Sequence, residues 1–220
     1  LRIALSLRAP FSGAPARLDP QVRAAVERIA DRLTGLGHEV ARADPTYGLV
    51  GASFMPRSMA GVHRWAERVP DHSLLDPRTR NNARTGRFLG GPVLKAARAL
   101  ELPLQLQVGR IFRNFDVVLM PTTATPPPRA GVLEGLGGWE TDKAIVAACP
   151  YAWVWNVLGW PGVNVPIGLT EDGLPLGAQL LGAANDEARL IGLAVQLESV
   201  ENWHERRPPP LARAVVEHDS

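Results

Sequence analysis

Two runs of alternating residues joined by a short turn, both within residues 156–182, constrain the fold more than any other feature. Val or Ile stands at every second position from 163 to 167, and apolar residues do so again from 174 to 180. This period of two is typical of strands with one buried face. Because Asp172-Gly173 between the runs favours a tight turn, the stretch predicts an antiparallel hairpin. Prolines cannot donate to a ladder, so strand starts, bulges or edges are expected to hold Pro161, Pro166 and Pro175.

The same stretch carries an ordered set of Gly, Pro, Asn and Gln residues. These are Asn156-x-x-Gly159-x-Pro161, Val165-Pro166-x-Gly168 and Gly173-x-Pro175-x-Gly177-x-Gln179-x-x-Gly182. Together with Phe-Asp-Val-Val-Leu-Met-Pro-Thr at 115–122, they resemble the C-terminal part of the amidase signature family. In outline the resemblance covers residues 1–210, and the tail 211–220 is predicted to fray. Residues 1–210 are therefore expected to form a partial amidase-signature domain.

The resemblance implies an α/β fold with a mixed sheet flanked by helices. Members of this family are serine hydrolases that cleave carboxylic amides and, in some cases, esters. Their catalytic Lys and two serines belong to a segment that precedes the position of Leu1, and the Gly-Gly-Ser-Ser-Gly-Gly-Ser loop type is absent here. No catalytic residue is therefore assigned to this chain, which is expected to supply pocket walls and to be inactive in isolation.

Five residues are candidates for the substrate-pocket wall because they lie in the resembling segments. They are Thr122, Thr123, Thr125, Trp155 and Asn156. Each has a structural alternative: the threonines could equally cap a loop, the tryptophan favours the core, and the asparagine favours a turn hydrogen bond. The expected substrate of the intact enzyme is a small-molecule amide.

The first 42 residues predict a strand, a helix and a second strand. Apolar residues alternate from Ile3 to Leu7, and Asp19-Pro20 is a good helix start. An apolar stripe then runs to Leu36, Gly37 is expected to end the helix, and residues 39–41 begin a strand. This βαβ-like order favours an α/β sheet.

The rest of the chain predicts mostly helix around one buried strand. Helices are expected at 50–65 with an interruption at Pro56, at 93–102 and 104–114 with a break at Pro103, at 144–158, and after Asn185 or Asp186. Residues 71–91 read as an irregular surface region with one short helix. A compact apolar run at 115–120 predicts a buried strand.

Composition excludes several classes of function. A net charge of +2 without a basic cluster gives no footprint for nucleic acid, and no apolar run is long enough to span a bilayer. A single cysteine excludes an internal disulfide. Because no His, Cys, Asp or Glu set has metal-ligand spacing, no metal or organic cofactor is expected. A cytoplasmic protein is the default expectation.

Three functional hypotheses follow. The first is the C-terminal portion of an amidase. The second is a non-catalytic scaffold or one half of a split amidase, which would associate with itself or with an N-terminal partner chain to cover apolar surface. The third is a self-sufficient hydrolase with an unrecognised Ser-His-Asp triad, because triads assemble in space and not in sequence.

Overall fold

The protein forms one mixed five-stranded sheet with helices on both faces. The computed structural model describes residues 1–10 and 16–205. The strand order is β2-β1-β3-β5-β4, with β1 parallel to β2 and β3, and with β5 antiparallel to both β3 and β4. The strands are β1 Arg2–Leu5, β2 Glu39–Arg42, β3 Val117–Pro121, β4 Gly162–Leu169 and β5 Pro175–Leu181. The predicted α/β class with a mixed sheet is confirmed.

The predicted βαβ unit is present at the start of the chain. Helix α1 (Pro20–Gly35) joins β1 to β2, and the Asp19 carboxylate accepts a hydrogen bond from the Gln21 amide at 2.8 Å. Leu36 occupies the C-cap and Gly37 follows it with a φ of +87°, a left-handed conformation that glycine adopts without strain. Strand β1 is shorter than predicted, because it ends at Leu5 and not at Leu7.

The predicted hairpin is confirmed, with residues 170–173 between β4 and β5. Its register is irregular between Pro166 and Gly168, so Pro166 lies at a bulge where its missing N–H leaves no gap in the ladder. Pro175 is the first residue of β5. At the start of β4, a Cβ on Gly162 would lie 2.7 Å from Leu181 Cδ2, so a larger residue there would require the Leu181 side chain to shift.

The segment between β2 and β3 is more helical than the sequence suggested. Its helices are α2 Val50–Ala66, α3 Pro77–Phe88, α4 Gly91–Ala99 and α5 Glu101–Val108. Helix α2 continues through Pro56. The helix expected within 71–91 is present, but it covers 12 residues and more of the region than predicted, because Asp76 caps it through the Arg78 amide. The break predicted at Pro103 falls at Leu100 instead, since Pro103 lies in the first turn of α5, where its N–H has no helical partner to lose.

The helix predicted over 144–158 is two helices, α6 (Gly138–Ala148) and α7 (Trp153–Leu158). Pro150 lies in the gap and cannot continue α6. The last helix, α8 (Glu187–Glu201), begins after Asp186, which stands at the N-cap position but binds the Arg189 guanidinium and not a helix amide. The tail at 211–220 lies outside the described residues.

Two cores lie on opposite faces of the sheet, because alternate residues of β1 and β3 belong to different clusters. Ile3 and Leu119 face the first core, which α1 and α8 cover. Ala4 and Met120 face the second core, which packs against α2, α5 and α7. We call the first side, which α1 and α8 cover, the α1/α8 face. We call the second side, which packs against α2, α5 and α7, the helical face.

Candidate functional site

A threonine pair and an asparagine meet where β3 leaves the sheet. The Thr122 amide donates to the Gly177 carbonyl at 3.1 Å, which holds the start of the loop against β5. The Thr122 hydroxyl donates to Asn164 Oδ1 on β4, and the Thr123 hydroxyl donates to the Thr125 carbonyl at 2.8 Å. Thr123 therefore stabilises the loop, and Thr122 contacts a polar side chain of β4.

The contact between Thr122 and Asn164 depends on the glycine beneath it. A Cβ added to Gly177 would lie 3.0 Å from Thr122 Oγ1 and 3.2 Å from Asn164 Oδ1. Both distances are tighter than ordinary van der Waals contact. Gly177 on β5 therefore lets side chains from β3 and β4 approach across the strand that separates them.

These residues line an open depression of about 510 Å³. We call it the threonine depression and define it by Thr122, Thr123, Thr125 and Asn164. Its remaining wall is mostly apolar and comes from four segments: Pro126, Pro127, Pro128, Ala148, Cys149, Pro166, Pro175, Leu176 and Gly177. An apolar surface with a few polar groups at one side is the usual composition of a site for a small organic molecule.

Cys149 contributes a thiol to the wall of this depression. It follows α6 directly, and the Ala124 amide donates to the Ala148 carbonyl at 2.7 Å, which ties the end of that helix to the threonine loop. The thiol is partly buried, and burial raises its pKa above the ordinary value. At neutral pH the group is therefore a neutral thiol and a weak nucleophile.

Two of the five predicted wall residues lie elsewhere. Trp155 is 3% exposed in the second core, where its indole N–H donates to the Gly182 carbonyl at 3.1 Å and its ring packs edge-on to Trp160. Asn156 is exposed on α7 and does not line the depression. The structure thus brings the three threonines together without Trp155 and Asn156. It adds Asn164, which the sequence marked only as a polar position between Val163 and Val165.

Among the residues that the structure describes, the buried serines Ser6 and Ser53 form hydrogen bonds within the fold. Ser6 donates to Asp44 at 2.8 Å and Ser53 donates to the Ala97 carbonyl at 2.8 Å. Within residues 1–10 and 16–205, no group of three or more His, Cys, Asp or Glu could hold a metal ion. In the same part of the chain, no helix is long and apolar enough to cross a membrane.

Comparison with known proteins decides the family. The family model described as Amidase matches residues 1–191. The chain belongs to the amidase family. It is 50% identical over 209 residues to AmiA2 of Mycobacterium tuberculosis, a protein named as an amidase, covering 94% of this chain and 43% of AmiA2. It is 40% identical to AmiB2 of the same species, also named as an amidase, covering 94% of this chain and 45% of that protein.

A solved structure agrees with the sequence relatives. The chain superimposes on 6-aminohexanoate cyclic dimer hydrolase with a TM-score of 0.77 and 25% identity, covering 94% of this chain and 46% of that one. The chain therefore spans less than half the length of the relatives that it matches, and it corresponds to a C-terminal portion of an amidase.

Proposed function

We propose that this chain provides part of the substrate pocket of an amidase, an enzyme that converts a carboxylic amide and water into a carboxylate and ammonia or an amine. The observation that carries the proposal is the threonine depression. Thr122 and Asn164 present a hydroxyl and a carboxamide beside an apolar wall, and such groups can orient an amide while the wall holds its apolar part. A small-molecule amide is the proposed substrate of the intact enzyme.

The catalytic groups are proposed to lie outside this chain. Amide hydrolysis requires an activated nucleophile and donors for the developing oxyanion. The Ser-Ser-Lys set of the family has no counterpart at the serines and lysines of this sequence, as the absent Gly/Ser-rich loop implies. The 220 residues alone are therefore proposed to lack amide turnover, and the reaction requires neither a metal nor an organic cofactor.

A covering partner is proposed for the helical face, because several large apolar side chains are exposed there. Trp65, Leu74, Phe88 and Leu106 are between 67% and 81% exposed. Exposed apolar groups in this number favour contact with another protein surface. The proposed partner is an N-terminal amidase section, in the same polypeptide or as a separate chain, with self-association as the alternative. A cytoplasmic location fits this proposal.

The test uses the protein as its native host produces it. Ammonia release from a panel of small aliphatic and aromatic amides is measured for the parent protein, for Thr122→Val and for Thr34→Val. Thr34 is the matched control, because its hydroxyl donates within α1 to the Ala30 carbonyl, far from the depression in sequence and in fold. Thr122→Val is expected to raise KM or lower kcat/KM by about ten-fold, since it removes one hydrogen bond to an oriented polar group.

Two outcomes would contradict the proposal. If no amide in the panel is hydrolysed and a fluorophosphonate probe labels no serine, the scaffold hypothesis replaces the amidase. If amides are hydrolysed and Thr122→Val behaves like Thr34→Val, the protein is an amidase but the threonine depression is not its pocket wall. Serine labelling of the 220-residue chain alone would instead support a self-sufficient hydrolase.

A further inference from the structure

A second cavity lies at the carboxyl ends of β1 and β2. Its volume is about 600 Å³, and it is lined by residues that follow each strand, by the start of α1 and by Tyr151. We call it the strand-end cavity and define it by Arg8, Arg23, Asp44, Tyr47 and Tyr151. It shares no lining residue with the threonine depression.

The position of the strand-end cavity in the sheet favours ligand binding. From β1 the chain passes through α1 to β2 on one side, and from β2 it returns through α2 to α5 to reach β3 on the other side of β1. All three strands are parallel. Crevices outside the carboxyl ends of parallel strands, at such a change of direction, are where open α/β sheets bind ligands.

A buried tyrosine in the cavity lacks a hydrogen-bond partner. Tyr47 is 7% exposed, and its hydroxyl has no partner among the residues that the structure describes. Ser6 lies close enough to Tyr47 to lower the pKa of the phenol, yet the two hydroxyls form no hydrogen bond, and the Ser6 hydroxyl donates to Asp44. Tyr151 is different, because its hydroxyl donates to the Leu7 carbonyl at 2.9 Å. An unpaired buried hydroxyl costs free energy that a ligand can recover.

The charged groups around the two tyrosines favour an anion. Burial is the main cause that raises the pKa of both phenols, to about 12 for Tyr151. Arg8 and Arg23 both line the cavity, and each lowers the pKa of one phenol, Arg8 that of Tyr47 and Arg23 that of Tyr151. Asp44 is the opposing charge, and its carboxylate already accepts from Ser6 and from the Arg8 amide. Arg23 also lies 3.9 Å from the Glu27 carboxylate, which is outside the cavity lining, so the excess of positive charge is small and favours a monoanion over a dianion.

We propose that the strand-end cavity binds a small monocarboxylate with an apolar body. The carboxylate accepts hydrogen bonds from the Tyr47 hydroxyl and from Arg8 or Arg23, whose planar guanidinium suits a carboxylate. Leu7, Pro10, Leu18 and Pro45 supply apolar wall for the rest of the molecule. The ligand is held without any covalent step.

The experiment is calorimetric titration of the protein, as the host produces it, with three probes. Benzoate carries a carboxylate on an apolar body, benzamide is its neutral counterpart, and inorganic phosphate is an anion without an apolar body. Saturable one-site binding of benzoate is expected, with benzamide and phosphate each weaker by at least about ten-fold, as loss of a charge-assisted hydrogen bond implies.

Substitutions inside and outside the cavity test where benzoate binds. Arg8→Gln with Arg23→Gln is expected to weaken benzoate by at least about ten-fold, whereas Arg64→Gln with Arg113→Gln removes the same charge from exposed positions outside the cavity and leaves affinity unchanged. Tyr47→Phe separates binding from folding. The Tyr47 hydroxyl has no hydrogen-bond partner among residues 1–10 and 16–205, so the variant is expected to unfold at the same temperature as the parent or higher, yet to bind benzoate about ten-fold more weakly.

Three results would overturn the proposal. If benzamide binds as tightly as benzoate, the charge of the ligand does not determine its affinity. If phosphate binds as tightly as benzoate, the apolar body does not contribute to affinity. Undiminished benzoate binding in the Arg8 and Arg23 double variant would place the site elsewhere. The titrations are run after treatment with the fluorophosphonate probe, so that no benzamide is hydrolysed to benzoate, and they leave the amidase proposal standing or falling by its own assay.

Discussion

The two faces of the sheet are covered in different ways. On the α1/α8 face, buried residues of α1 and α8 pack directly on β1, β3, β4 and β5. The Arg28 guanidinium there donates to both oxygens of Glu201, at 2.9 and 3.0 Å, and also to the Ile167 carbonyl. On the helical face, α2 to α7 form a thicker layer whose outer side exposes large apolar residues such as Trp65 and Phe88.

The two faces therefore differ in degree. On the α1/α8 face a charged contact joins the two helices, and α8 exposes Ile191, Val195 and Val200 by 41% to 58%. The helical face has a well-packed inner side and an apolar outer side, which suits contact with a further protein surface. We expect changes at the crossing of α2 and α3 to weaken the helical face, and changes at Arg28 and Glu201 to weaken the α1/α8 face.

The largest expected effect is at the crossing of α2 and α3. A Cβ on Gly86 would lie 1.9 Å from the Met59 carbonyl oxygen, which is backbone and cannot rotate away. Gly86→Ala should therefore force the helices apart and lower the free energy of unfolding by about 3 kcal/mol. Urea unfolding followed by circular dichroism measures this change.

Gly61 on α2 is the matched control. A Cβ there meets nothing within 4 Å, so Gly61→Ala should be neutral or stabilising by up to about 1 kcal/mol, the difference in helix propensity. Equal losses in the two variants would show that the close crossing does not determine the stability of the helical face.

The sequence predicts elements that have a strong apolar periodicity or a helix cap, but it does not predict the crossing of α2 and α3. The Asp19-Pro20 start and the hairpin of β4 and β5 are local patterns, and both are present. The length of α3 was underestimated because most of its residues are polar, so no apolar stripe marked its extent. The role of Gly86 depends on a backbone 27 positions earlier, which no local pattern reports.

The second largest expected effect is at the ion pair that joins α1 and α8. The Glu201 carboxylate is 3% exposed and pairs with Arg28 and with Arg32 at 3.3 Å. Glu201→Gln keeps the shape but removes the charge. We expect a loss of about 2 kcal/mol in the free energy of unfolding, since a buried charge-assisted contact is weakened while two guanidinium groups remain partly exposed to water.

Glu27→Gln on α1, the helix that carries Arg28, provides the control. Glu27 pairs with Arg42 at 2.5 Å, but its side chain is 34% exposed and that of Arg42 is 64% exposed. Solvent screens this pair, so the variant should lose less than about 1 kcal/mol. A loss at Glu201 no greater than at Glu27 would mean that packing alone closes the α1/α8 face.

The candidate site shows the same limit of sequence reasoning. The threonines at 122–125 were found because they follow a buried strand in a recognisable segment. Asn164 was not, because its contact with Thr122 crosses β5 and requires Gly177 between them. Trp155 was placed in the pocket wall although a large aromatic residue favours the core, and the core is where it lies.

The smallest expected effect concerns the contact between β1 and the residue that precedes β3. Asp116 accepts from the Arg2 amide at 2.8 Å and from the Arg2 guanidinium at 2.8 Å, and this contact lowers the pKa of Asp116 to about 2. The ordinary value of an unfolded chain is about 3.9. Because the folded pKa is the lower one, the contribution to stability is complete above pH 4 and is lost as the pH falls toward 2.

Solvent limits the contribution of the Arg2–Asp116 contact to stability, since the Arg2 side chain is 48% exposed. We expect about 1 kcal/mol or less between pH 5 and pH 2, beyond the general loss caused by other carboxylates. Asp116→Asn keeps an oxygen that can accept from the Arg2 amide but does not ionise, so its unfolding free energy should fall less steeply over this range. If the unfolding free energies of the parent and Asp116→Asn fall equally steeply with pH, the Arg2 contact does not shift the titration of Asp116. The junction of β1 and β3 is then stabilised by the backbone ladder and by the buried side chains that these strands place on each face of the sheet.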